Sequence, residues 1–250
     1  MHRSMLFLIL PVVLLGCKKK EVASTCHVNL PAEKIELQLS HMVDSVAFAF
    51  NSDYIDDFGN TYQFTRAEWY LRVSGFLEAD NSTLMTNEDR YCLIDPSVSA
   101  VTFDSVSADE YHYLQWGVGV DSAFNHLDPN TFALGEALGN QSPSMHWGWS
   151  SGYIFCVMEG LVDIDGNGTY DSGEYFALHV GVDTNYRNGA NLLVNAVVPS
   201  NGTGTVLLKV NYAAFVDGID LSIENSTHTM DNMPLAVKVA DNFGLVLDLQ

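Results

Sequence analysis

Residues 163–174 read DIDGNGTYDSGE. Counted from Asp163, side-chain oxygens fall at positions 1, 3, 5, 9 and 12: Asp163, Asp165, Asn167, Asp171 and Glu174. Gly168 stands at position 6 and Thr169 at position 7. This is EF-hand spacing, and the chemistry explains it. A hard cation such as Ca2+ takes six to eight oxygens, and alternate residues of a tight loop point inward. Gly168 permits the bend that aims the Thr169 carbonyl at the ion, and Glu174 closes the shell with both oxygens. The flanks, GYIFCVMEGLV and YFALHVGV, read as strands rather than helices. The expectation is therefore an EF-type loop closing a β-hairpin, with a weak structural Ca2+ site. An acidic, glycine-rich turn without metal is the plainer alternative.

Softer ligands occur elsewhere. Of eight histidines, His126 lies in AFNHLDP, His146 opens the Trp-Gly-Trp stretch of MHWGWSSGYIF (Met145–Phe155), and His179 lies in FALHVG. In that last strand Phe176, Leu178 and Val180 share one face, and His179 shares the other with Tyr175, Ala177 and Gly181. One such histidine, taken alone, is ordinarily a hydrogen-bonded structural residue. HTMDNM (His228–Met233) offers an imidazole and two thioethers, which suit Cu(I), although a polar loop before a helix accounts for it too. Trp147 and Trp149 share one face of an extended chain. They read as an aromatic seal on a sandwich edge, a stacking platform for sugars, or oxidisable groups lining a metal site. His146 is then a third ligand or surface decoration.

The elements that must position these residues alternate with period two. Val46, Phe48 and Phe50 do so, as do Trp69, Leu71 and Val73; Leu114, Trp116, Val118 and Val120; Phe176, Leu178 and Val180; and Leu208, Val210 and Tyr212. Clusters of Gly, Asn and Asp separate them (DDFGN, DGNG, NYRNG, SNGTG). Many alternating strands with turn chemistry between them predict an all-β, β-sandwich fold of immunoglobulin or jelly-roll type. MPLAVKVADNFGLVL near the C-terminus reads as a short helix.

The N-terminus reads as an export signal. Arg3 supplies a positive start and Leu6–Leu15 a short apolar run, and LLGC places Gly16 before Cys17 like the lipobox of bacterial lipoproteins. The expected division is a signal peptide over 1–16, a lipid-anchored tether over 17–42 and one β-sandwich domain over 43–250. Lipidation of Cys17 would hold the chain at the bacterial outer membrane or cell envelope, periplasmic or surface-exposed, through acyl chains alone. Export also permits a disulfide between Cys92 and Cys156, leaving Cys26 over. The chain of 250 residues carries 31 Asp and Glu against 11 Lys and Arg, a net charge of −20, which makes nucleic acid a very poor partner.

Three segments in order, GVDSAFNHLDP, MHWGWSSGYIFCVMEG and FALHVG, resemble the MbnP-like family: exported proteins, copper-binding ones among them, found with methanobactin operons and in methanotrophs. YQFTRAEWYLRVSGF, LQWGVGVD and THTMDNMPLAVKVADNF are similar to family segments as well, so the resemblance spans roughly residues 45–250. It implies a β-sandwich, Cu(I) held by two histidines with help from a kynurenine made from tryptophan, and a di-haem peroxidase partner of the MauG type. By motif those histidines correspond to His126 and His179. Two imidazoles suit Cu(I) and are too few for an ordinary zinc site. The family's modified tryptophan falls two residues before the first histidine, where this chain has Phe124, which cannot become kynurenine. Trp147 and Trp149 remain as oxidisable residues.

H-E-x-x-H and P-loop motifs do not occur. Asp56 and Asp57 are adjacent, which in a strand sends them to opposite faces rather than together. The expectation is a metal-binding protein and not an enzyme. The alternative is a calcium-stabilised β-sandwich module that binds glycans or proteins.

Overall fold

A computed structural model describes residues 33–80, 90–104, 106–148 and 151–250. The expected signal peptide, Cys17, Cys26 and Trp149 lie outside the described residues. In chain order the strands are β1 (Lys34–Val43), β2 (Val46–Ala47), β3 (Tyr54–Ile55), β4 (Thr61–Leu77), β5 (Arg90–Ile94), β6 (Ala100–Asp104), β7 (Glu110–Val118) and β8 (His146–Gly148). They continue as β9 (Gly152–Val162), β10 (Tyr175–Gly181), β11 (Arg187–Asn188), β12 (Leu192–Val197), β13 (Thr203–Asn211), β14 (Ser226–Thr227) and β15 (Leu247–Leu249), with one α-helix, α1 (Met233–Asp241). The architecture is the all-β, sandwich-like one expected from the alternation, with the short C-terminal helix.

The smaller sheet runs β15-β13-β1-β2, with β6 also on β1; the larger runs β11-β7-β4-β9-β10-β14, with β3 and β5 on β4, β8 on β9 and β12 on β7. Side chains from both sheets meet in one core, for example Phe76 of β4 against Phe103 of β6 with ring centroids 5.8 Å apart. Trp69, Leu71, Leu114, Trp116, Phe176, Leu178, Leu208 and Val210 are all fully buried, as their alternation predicts. Tyr70, on the opposite face of β4, is fully buried too. Its hydroxyl donates to the Ala137 carbonyl and its ring meets Tyr153 edge-on, so the loop through residue 137 covers the outer face of the larger sheet there.

Three expectations are corrected. The stretch read as the end of a tether is β1, paired in parallel with β13 from Lys34↔Thr203 to Met42↔Asn211, with Ile35 and Leu37 fully buried. Its own alternation (Ile35, Leu37, Leu39) draws it into the core, where it separates β13 from β6. Val46–Phe50, read as a strand, pairs only at Val46–Ala47; Val46 is exposed, and Phe48 packs sideways on Phe64 and Tyr212. Cys92 and Cys156 are both free thiols. Trp69 of β4 pairs with Ile94 of β5 on one edge and with Cys156 of β9 on the other, so β4 stands between the two cysteines. Two strand spacings, roughly 10 Å, exceed the reach of a disulfide.

Helix α1 starts where local chemistry directs it. The Asn232 side chain accepts from Leu235 N and Pro234 stands in the first turn. Leu235, Ala236, Val239 and Ala240 form its buried stripe.

Candidate metal centres

The acidic loop joins β9 to β10, antiparallel strands that pair up to Leu161↔Tyr175. It is therefore a hairpin loop, as the flanking alternation predicts. Carboxylate oxygens of Asp163, Asp165 and Glu174 lie within 4.8 Å of one another, and Asp163 and Glu174 are buried. Backbone amides hold them inward. Asp163 accepts from Asn167 N and Gly168 N; Glu174 accepts from Ile164 N, Asp165 N and Asp171 N. The Asn167 amide donates to Asp165 and Asp171. Gly166 (φ +70°) and Gly168 (φ +82°) take left-handed conformations that glycine adopts without strain. Three carboxylates so close repel one another, and a divalent cation between them would relieve the repulsion.

The second cluster lies along β10. His179 Nε2 donates to Glu159 Oε1 at 2.7 Å, and Glu159 of β9 also takes Arg66 of β4, at 3.4 Å. Burial pushes the His179 imidazole below its ordinary range; the Glu159 hydrogen bond opposes this, and the His228 and Arg66 charges add to it. His179 is therefore neutral at pH 7. With Nε2 carrying the proton for Glu159, Nδ1 holds the lone pair. The His228 ring stands edge-on to it, centroids 4.7 Å apart.

His126 lies in the segment between β7 and β8 and reaches the turn that follows β10. Its Nε2 donates to Asp183 Oδ2 at 3.1 Å, four residues beyond His179 in sequence. The other Asp183 oxygen accepts from the fully buried Asn125, whose own Oδ1 accepts from Tyr153 N. Burial acts to raise the Asp183 carboxyl, but the bonds from Asn125 and His126 outweigh it and hold the group below its usual range. The two expected copper histidines are thus each bonded to a different carboxylate, Asp183 for His126 and Glu159 for His179.

Trp147 comes to the same strand. It is half-buried, and a Cβ placed on Gly181 would meet its Cζ3 at 2.7 Å, so the bare glycine makes room for the indole two residues beyond His179. His146 packs on β9. Its Nδ1 accepts from Gly148 N, its ring meets Tyr153 at 4.7 Å, and its buried Nε2 has no partner among the described residues. An Nδ1 that accepts leaves the proton on Nε2, which makes His146 a poor ligand in this arrangement. Phe124 packs on Tyr91 with centroids 5.3 Å apart.

Strain is stored on both sides of this cluster. Val182 (φ +67°, ψ 148°) follows β10 and precedes Asp183; Thr229 (φ +66°) follows His228 and is fully buried. β-Branched residues rarely adopt positive φ, at a cost on the order of 1–3 kcal/mol each, and such residues concentrate at binding and catalytic sites. Sequence reasoning missed Glu159, Asp183, Asn125 and Thr229. Only Glu159 left a trace, as a lone acid inside the apolar run of GYIFCVMEGLV.

A family model described as MbnP matches residues 32–232. Among solved structures, MbnP from Methylosinus trichosporium is similar, with 13% identity, a TM-score of 0.52, and 78% of this chain and 81% of that chain covered. No curated protein matches significantly. The structural likeness establishes the fold, and the family match takes in β1, the acidic loop, His126, His179 and His228, so the chain belongs to the MbnP family.

Proposed function

We propose that this chain is an exported, lipid-anchored copper-binding protein of the bacterial outer membrane or cell envelope, and that its acidic hairpin loop holds Ca2+ structurally. A di-haem peroxidase of the MauG type is its proposed partner, with Trp147 or Trp149 as the residue such an enzyme would oxidise. The observation that carries the copper reading is His179, neutral and half-buried, with Nε2 tied to Glu159 and Nδ1 left as the lone pair. A histidine whose second nitrogen is held by a carboxylate is the usual form of a metal ligand. Bound copper would supply a soft cation that accepts few nitrogen ligands. Family membership supports the same reading. Trp147 packs half-buried on Gly181, which removes one of the two exposed indoles that a glycan platform needs. The test is anaerobic competition for Cu(I) against a chromogenic chelator, with one equivalent withheld per chain as the expected result. Protein that withholds none refutes the copper reading.

The Ca2+ reading has its own test. At a concentration about a hundred times a dissociation constant near 10⁻⁴ M, Ca2+ stabilises by about 2.7 kcal/mol, which raises the melting midpoint by roughly 5–10 °C. Glu174→Gln removes one charge from the three-carboxylate cluster and one strong ligand. The variant loses an acceptor for one of the backbone amides that Glu174 holds, so in chelator it should melt below the wild type, and it should gain little from Ca2+. An equal gain in both proteins refutes the site.

A further inference from the structure

We infer that the second imidazole of the copper site is His228, beside His179, rather than His126. The inference rests on the proposal that the chain binds Cu(I) through His179. It begins with the backbone. β14 runs parallel to β10 with Ala177↔Ser226 and Leu178↔Thr227 paired, so the next position along sets His228 next to His179. Their ring centroids are 4.7 Å apart. A metal bound at an imidazole nitrogen stands roughly 3 Å from the ring centroid, so two rings 4.7 Å apart are close enough to share one ion.

The tautomers agree. His228 Nδ1 donates to Asp231 Oδ2 at 3.2 Å, which leaves Nε2 with the lone pair, just as Glu159 leaves the lone pair of His179 on Nδ1. Each imidazole thus has one nitrogen fixed by a carboxylate and one able to bind a cation, the arrangement that outer-shell carboxylates give metal-bound histidines. Glu159 and Asp231 also place two negative charges behind the pair, against the one positive charge of Arg66, which Glu68 takes up at 3.0 Å.

The loop is built to keep His228 in place. Asp231 grips it twice, its Oδ1 accepting from His228 N at 2.7 Å. The next residue, Thr229, sits at positive φ with its hydroxyl donating to the His179 carbonyl and accepting from Gly181 N, both at 2.9 Å. A strained, fully buried threonine therefore fastens the His228 turn to the strand that carries His179.

His228 and His126 side chains are both about half exposed, so variants at either position leave the core untouched. Cu(I) competition against a chromogenic chelator is measured on the full chain, wild type, His228→Gln and His126→Gln, with X-ray absorption to count nitrogen ligands. His228→Gln should weaken binding at least about 100-fold and lower the nitrogen count, and His126→Gln should change affinity less than about threefold. Asp231→Asn should fall between, at roughly 10–100-fold. Loss in His126→Gln with retention in His228→Gln overturns the inference and leaves the copper reading standing. Wild-type affinity in both variants also overturns it. A wild-type chain that binds no Cu(I) overturns both, and is recognised because no variant then differs.

Discussion

His179→Gln is expected to weaken Cu(I) binding by at least about 100-fold, and Glu159→Gln by roughly 10–100-fold. The order matters more than either value. Glutamine at 179 keeps a donor for Glu159 and most of the side-chain volume while deleting the imidazole, so the strand pairing His179↔Val157 is undisturbed. Glutamine at 159 leaves the imidazole in place. It removes the carboxylate that fixes the Nε2 proton and releases Arg66 to approach the site with its charge less compensated. The tautomer is then free to reverse, which places the proton on the nitrogen that must bind. The check is the same chelator competition, with melting temperature as a control for folding. If Glu159→Gln binds as tightly as wild type while His179→Gln does not, the carboxylate is structural and the tautomer argument fails.

How much of this was legible in the chain follows from which contacts are local. Alternation located β4, β7, β10 and β13 because each buries one face on the core, and the period of two survives in the sequence. It also sorted His179 onto the face away from Phe176, Leu178 and Val180. It failed at β1, where Ile35, Leu37 and Leu39 alternate clearly but follow a segment that reads as a tether. It over-reached at Val46–Phe50, where aromatic packing on Tyr212 imitates a strand. The acidic loop was readable because its oxygen-bearing residues all lie within twelve successive positions. The histidine cluster was not, because it is assembled by strand pairing. Glu159 reaches His179 through the β9–β10 register, and His228 reaches it through a parallel pairing from nearly fifty residues away. The resemblance supplied His126 and His179 by motif, and only the fold shows that their carboxylates differ.

Gly160→Ala is expected to destabilise the chain by about 3 kcal/mol or more, lowering the melting midpoint by roughly 6–12 °C. Gly160 stands next to Glu159 on β9 and pairs with Phe64 on one side and Phe176 on the other. A Cβ there would collide with the Gln63 carbonyl oxygen and lie 2.6 Å from Phe176 Cζ. The carbonyl is backbone and cannot step aside, and Phe176 is fully buried and cannot swing out. The register slips by one residue between Phe64 and Arg66, so β4 bulges where it crosses Gly160. That bulge brings Arg66 beside Glu159, so the glycine that admits the close approach also sets the surroundings of the carboxylate that holds His179. Gly244→Ala is the control: a Cβ there meets nothing within 4 Å and should change stability by no more than about 0.5 kcal/mol. Calorimetry on the two variants separates a packing requirement from a general cost of replacing glycine. A Gly160→Ala protein melting within a degree of wild type would mean that β4 and β9 can part without loss, and the close approach would then have no part in holding Glu159 to His179.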